Sequence, residues 1–240
     1  MKFIIRTLVC LLLVTVIDDA AAQGFLKPFT SISKKKTTYL TLENGDEIEG
    51  NVKKFKLAKK GLIKELHMVV NDEKVVYAVE DIKIAYFPQS GLDKLSKGLD
   101  FMNDATQWGD EDPLYESDRL KDGYAYYEKI DISLKGDDRK LLMQLLNPFA
   151  KNRIKVYHDP TAGEKGGMRV GGIKVQESQA SNYYISKDGG QAARLRKKDY
   201  KKQFDDLLGD CRSIKKTYGK MKWKNFEDAV MEYNANCAAE

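Results

Sequence analysis

The sequence predicts an α+β protein: an N-terminal small β-barrel, a linker helix, a second antiparallel β-rich unit and a C-terminal helical hairpin closed by a disulfide. Three observations predict it. Between Thr37 and Pro88 apolar and polar residues alternate and turn residues interrupt them, the signal of half-buried strands. From Tyr200 the period becomes helical, with Tyr200, Phe204, Leu207, Cys211, Ile214 and Tyr218 on one stripe that Gly209 would kink and Gly219 would stop. Cys211 and Cys237 would then meet at one end of a helical hairpin.

Residues 1–22 read as an export signal. Lys2 and Arg6 precede an apolar run from Thr7 to Ile17, Asp18 and Asp19 end it, and Ala20-Ala21-Ala22 suits a signal peptidase. The mature chain would begin at Gln23. Its net charge would stay at +5, because Lys2, Arg6, Asp18 and Asp19 leave together. No second apolar run has membrane length, so no transmembrane span is expected in the mature chain.

Residues 23–36 form an irregular lead-in ending in Lys34-Lys35-Lys36. Residues 37–88 form the barrel. Leu40 and Leu42 lead into Asn44-Gly45, a hairpin signal. The next strand starts with Ile48 and Val52 on one face, then shifts parity to Phe55 and Leu57, which predicts a bulge near Lys53-Lys54. Leu66, Met68 and Val70 precede an Asn71-Asp72 turn. Val75, Tyr77 and Val79, then Ile82, Ile84 and Tyr86, complete five strands of SH3-like or Sm-like shape.

Residues 89–121 comprise a linker helix striped by Leu92, Leu95, Leu99 and Met102, then an acidic loop with Pro113. Residues 122–190 are β-rich. Ile130, Ile132 and Leu134 alternate, Leu141 to Leu146 reads as a buried strand, and Ile154 to Tyr157, Ile173 to Val175 and Tyr183 to Ile185 follow. Gly163 to Gly172 is a glycine-rich loop. Residues 191–240 make the helical hairpin, with Phe226, Ala229, Val230 and Tyr233 on the apolar face of its last helix.

Two segments carry a resemblance. Phe204-Asp205-Asp206-Leu207-Leu208-Gly209-Asp210-Cys211 with Val230-Met231-Glu232-Tyr233-Asn234-Ala235-Asn236-Cys237, and Leu42-Glu43-Asn44-Gly45-Asp46-Glu47-Ile48-Glu49-Gly50, resemble recurrent segments of an uncharacterised family of exported proteins of Gram-negative bacteria. The resemblance implies an envelope or secreted location and brings no activity. The second segment also looks like the opening motif of Sm-fold proteins. Their RNA-binding Arg-Gly is missing at Val79-Glu80-Asp81, so the likeness implies the barrel shape and not nucleic-acid binding.

Little catalytic chemistry is legible. His67 and His158 lie in different units, and the spacings of a zinc site are absent. Asp110, Asp112, Glu116 and Asp118 do not fit a calcium loop and read as a solvated acidic stretch. Gly167 and Gly172 fail as a phosphate loop because Ile173 stands where lysine is required. Neighbours on a strand face opposite ways, so His158-Asp159 need not form an acid–base pair. With Cys10 removed, Cys211 and Cys237 are an even pair in an oxidising compartment and are expected to bridge.

No cofactor is expected. The candidate binding residues are Arg194, Lys198, Lys201 and Lys202, which helical spacing would place on one side of a helix. A second basic run crowds Lys53, Lys54, Lys56, Lys59 and Lys60. The expected function is that of a non-catalytic exported protein that binds an envelope protein or an anionic envelope surface, with no nucleic-acid partner and an open oligomeric state. The alternative is a small hydrolase or ligand-binding enzyme with a site between the two β units near His158.

Overall fold

In a computed structural model, the structure describes residues 25–29, 31–57, 62–90, 117–134, 137–148, 152–162, 169–170, 173–174 and 180–237. The expected signal segment, the linker helix, most of the acidic loop and most of the glycine-rich loop lie outside the described residues.

Strands β1 (Thr38–Leu42) and β2 (Glu47–Leu57) form the first hairpin, with Gly45 at a φ of +91° in its turn. Strand β3 (Ile63–Val70) returns along β2. The register slips between Val52 and Lys54, so Lys53 is the extra residue of a bulge. That slip places Val52 and Phe55, of opposite parity, in the same core. Asn71 and Asp72 both have positive φ, at 49° and 66°, which closes a tight turn into β4 (Glu73–Ala78). A 3-10 turn at Val79–Asp81 leads to β5 (Ile82–Pro88), which pairs with β1.

The sheet does not stop at β5. Strand β6 (Tyr124–Leu134) pairs with β5, and β7 (Asp137–Gln144) pairs with β6 and touches β3 through Ile63 and Leu142. The seven-stranded sheet runs β2-β1-β5-β6-β7-β3-β4, and β2 also pairs with β3. Six strands thus close an antiparallel barrel, where five were expected, and β4 takes the edge of β3 opposite β2 from Glu65 to Val70, beyond the Ile63 contact with β7. The sheet crosses the expected boundary at residue 122, because β6 and β7 supply the edges that β5 and β3 would otherwise leave unpaired. Leu40, Val52, Leu66, Met68, Ile82 and Phe87 fill the barrel.

Beyond it lie β8 (Ile154–His158), the small hairpin β9 (Arg169–Val170) and β10 (Ile173–Lys174), then β11 (Asn182–Lys187) and β12 (Ala193–Arg196). Strands β8, β11 and β12 make a three-stranded sheet with β11 central. Its residues alternate between two cores. Tyr157 and Tyr184 pack with Tyr126, Ile130 and Met143 of the barrel's outer wall. Ile154, Val156, Tyr183 and Ile185 pack against the helices. A sheet buried on both faces reads as a near-continuous apolar run, as Tyr183-Tyr184-Ile185 does.

The helices are α1 (Asp118–Lys121), α2 (Tyr200–Leu208), α3 (Arg212–Tyr218) and α4 (Phe226–Asn236). The helical run from Tyr200 is broken at Gly209-Asp210, where Gly209 was expected to kink it, with Cys211 between the halves. Tyr200, Phe204, Cys211 and Ile214 are buried, and Leu208 joins them. Cys211 and Cys237 are disulfide-bonded, with Cα atoms 5.8 Å apart.

Candidate functional site

Of the four candidate binding residues, Arg194 belongs elsewhere. It lies on β12, not on a helix, and its Nε donates to Asp159 Oδ2 at 2.7 Å while its second guanidinium nitrogen donates to Thr161 Oγ1 at 2.9 Å. Asp159 is buried, and burying a carboxylate without such a partner would be costly. The expected helical face including Arg194 is therefore corrected: its spacing to Lys198 spans a strand and a turn. Lys198 is exposed in the turn after β12, and Lys201 and Lys202 are exposed on the first turn of α2.

These three lysines belong to a larger concentration of charge. Residues 193–224 contain twelve Lys or Arg against four Asp, a net of +8, whereas the whole chain carries +5. Ion pairs with Asp159, Asp199 and Asp205 engage Arg194, Arg196 and Lys215. The other nine cations, Lys198, Lys201, Lys202, Lys216, Lys220 and Lys222 among them, are exposed and form no ion pair among the described residues.

His158 lines a small cleft of about 70 Å³ with Ile63, Tyr127, Leu142, Gln144 and Pro160, between barrel and second sheet. Ligand pockets usually run to roughly 300–1,000 Å³. The Asp159 carboxylate is committed to Arg194 and to Thr161, whose N–H and hydroxyl donate to Oδ1 at 2.9 and 2.7 Å. His158-Asp159 is thus not arranged as a general base with its orienting acid. No group of His, Cys, Asp and Glu able to hold a metal ion occurs among the described residues.

Two clusters escaped sequence reasoning. Glu128 on β6 accepts from Tyr157 Oη at 2.6 Å, from Lys155 Nζ at 2.9 and 3.0 Å, and from Tyr126 Oη at 3.2 Å. Burial and the charge of Glu128 push the Tyr157 phenol far above its usual value, so it acts as a fixed donor. The cluster joins the barrel wall to β8. Its local signal was the shared strand face of Lys155 and Tyr157, but nothing local named Glu128 as their partner.

The second cluster clamps the disulfide hairpin to the sheet. Arg153 donates to both oxygens of Asp188 at 2.7 and 3.0 Å and to the Cys237 carbonyl at 2.9 Å. Asp210 accepts from Tyr233 Oη at 2.7 Å and pairs with Lys187 at 3.0 Å. Asn234 Oδ1 accepts from the Ile154 N–H, and its Nδ2 donates to the Ile154 carbonyl, both at 2.8 Å. Tyr233, Asn234 and Cys237 of the C-terminal tail therefore each hold the hairpin in place.

No protein-family model, curated protein or solved structure matches this chain.

Proposed function

We propose that this is an exported, non-catalytic binding protein of the Gram-negative envelope, and that its C-terminal unit attaches to an anionic envelope surface. The observation that carries the reading is the net charge of +8 in residues 193–224, most of it on exposed and unpaired side chains. Exposed cations of this kind attract a negative surface by roughly 1 kcal/mol each. The Cys211–Cys237 bridge supports export, since such bonds persist in oxidising compartments. Among the described residues no helix is long and apolar enough to cross a membrane, so attachment would be peripheral. The pairing of β1 with β2 and β5, and of β3 with β2 and β4, supports reading the first five strands as an SH3-like or Sm-like element to which β6 and β7 are added.

Vesicle co-sedimentation tests the reading. The protein should bind vesicles containing phosphatidylglycerol and not those of phosphatidylcholine alone. Binding should fall steeply with salt, because screening acts over about 8 Å at physiological ionic strength. Lys198→Glu with Lys201→Glu should weaken it without altering the thermal midpoint. Salt-insensitive binding, or equal binding by variant and wild type, rejects the reading.

A further inference from the structure

Strand β4 ends the seven-stranded sheet. It pairs with β3 along its whole length, from Val70 opposite Glu73 to Glu65 opposite Ala78. Among the described residues nothing pairs with its other edge. The two-residue turn at Asn71-Asp72 sets the phase of the ladder. Val70 and Glu73 flank that turn and form a hydrogen-bonded pair, so bonded and non-bonded pairs alternate from there. Glu73, Val75 and Tyr77 direct their backbone groups toward β3. Lys74, Val76 and Ala78 direct theirs outward.

Protected edges carry charge, proline or a bulge at such positions. Here Lys74 is the one charged residue of the three, and Val76 is 53% exposed, one of two large apolar residues so exposed among those described. The side chains of Lys74, Val76 and Ala78 share the outer face with Lys54, which lies across β3 from Val76 through His67, and with Lys56. Glu65 pairs with Lys56 at 2.7 Å, leaving Lys54 and Lys74 unmatched. The outward backbone groups, an exposed valine and an unmatched lysine two positions away thus lie on one edge.

We propose that β4 is a strand-addition site that takes an extended, acidic segment of another protein. The incoming strand adds main-chain hydrogen bonds to Lys74, Val76 and Ala78, and its alternate side chains set specificity. In the antiparallel sense the residue opposite Val76 precedes the residue opposite Lys74 by two positions. The guest therefore reads apolar-x-acidic, with the apolar side chain on Val76 and the carboxylate at Lys74. This site is separate from the C-terminal cations and involves a different partner class.

The probe is an acetylated octapeptide of repeated Val-Thr-Glu-Thr, with Val-Thr-Lys-Thr as its charge-reversed counterpart. Amide hydrogen exchange on the intact protein should show added protection at Lys74, Val76 and Ala78 with the acidic peptide alone. Val76→Pro removes an outward N–H and spares every bond to β3, so it should abolish binding while the barrel amides stay protected. Lys74→Glu, which leaves the backbone intact, should transfer preference to the basic peptide. Protection elsewhere, equal protection by both peptides, or binding that survives Val76→Pro overturns the proposal. So does protection of the same three amides that grows with protein concentration and needs no peptide, which assigns the edge to a second copy.

Discussion

A Cβ placed on Gly50 would stand 2.5 Å from the Val69 carbonyl oxygen and 2.8 Å from a Val70 methyl. Neither can withdraw easily, since Val69 is held in the ladder between β2 and β3. Gly50→Ala should therefore destabilise the barrel by about 1–3 kcal/mol, the usual cost of overpacking. A urea midpoint unchanged from wild type would show that the strands can part at no cost. The glycine that closes the Leu42 to Gly50 segment thus has a packing reason, which the sequence pattern does not disclose. Lys53 is the converse case. Its bulge was legible because a parity change from Val52 to Phe55 is a local fact about alternation. Glu128 was not legible, because Lys155 and Tyr157 come to it from another sheet and no spacing along the chain encodes that meeting.

The C-terminal hairpin shows both outcomes within one element. Its apolar stripe and its cysteine pair were readable, since helical period and loop closure are short-range properties. The break falls at Gly209, as the glycine signals, and Asp210 just after it accepts from Tyr233 and pairs with Lys187, which no local pattern announces. Strand β12 was mistaken for helix because Arg194, Lys198 and Lys201 have helical spacing by coincidence. The alternation of Arg194, Leu195 and Arg196, with only Leu195 buried, was the better signal. Asn234 contributes to this element by covering the edge of β8 at Ile154. Asn234→Ala leaves that N–H without its side-chain partner, while the carbonyl keeps its bond from Asn147 Nδ2, and should cost about 1–3 kcal/mol. Reducing the Cys211–Cys237 bridge should cost more, about 3–4 kcal/mol for a sequence separation of 26. Chemical denaturation of both forms orders the two effects, and an Asn234→Ala loss below that of an exposed-surface substitution contradicts the edge-covering role.

At the scale of the molecule, three cores are stacked: barrel interior, barrel wall against the second sheet, and second sheet against helices. The first and third have periodic signatures in the sequence. The middle one has alternating residues too, at Ile130 and Ile132 and at Leu141, Met143 and Leu145, but their partners across it are not local. It depends on β6 joining β5 across residues 89–121, a long-range pairing that alternation alone does not encode. Attachment of the helical layer rests partly on charge. Hydrogen bonding from Arg153 holds the Asp188 carboxyl below its ordinary value of 3.8. Burial raises that of Asp210, but its bonds from Tyr233 and Lys187 outweigh the rise and leave it lowered too. A carboxylate whose folded pKa is depressed contributes stability above its unfolded value and loses it as pH falls through the folded one. The clamp should therefore be intact at neutral pH and weaken as pH drops below about 3.8, its ordinary carboxylate value. Urea midpoints measured from pH 7 to pH 3 should fall more steeply for wild type than for an Asp188→Asn, Asp210→Asn variant. Some acid dependence should survive in that variant, because Glu43 and Glu65 are also lowered by Lys129 and Lys56 on the barrel. Equal slopes in the two proteins would place the acid-sensitive contacts in the barrel and remove charge from the account of how the hairpin is held.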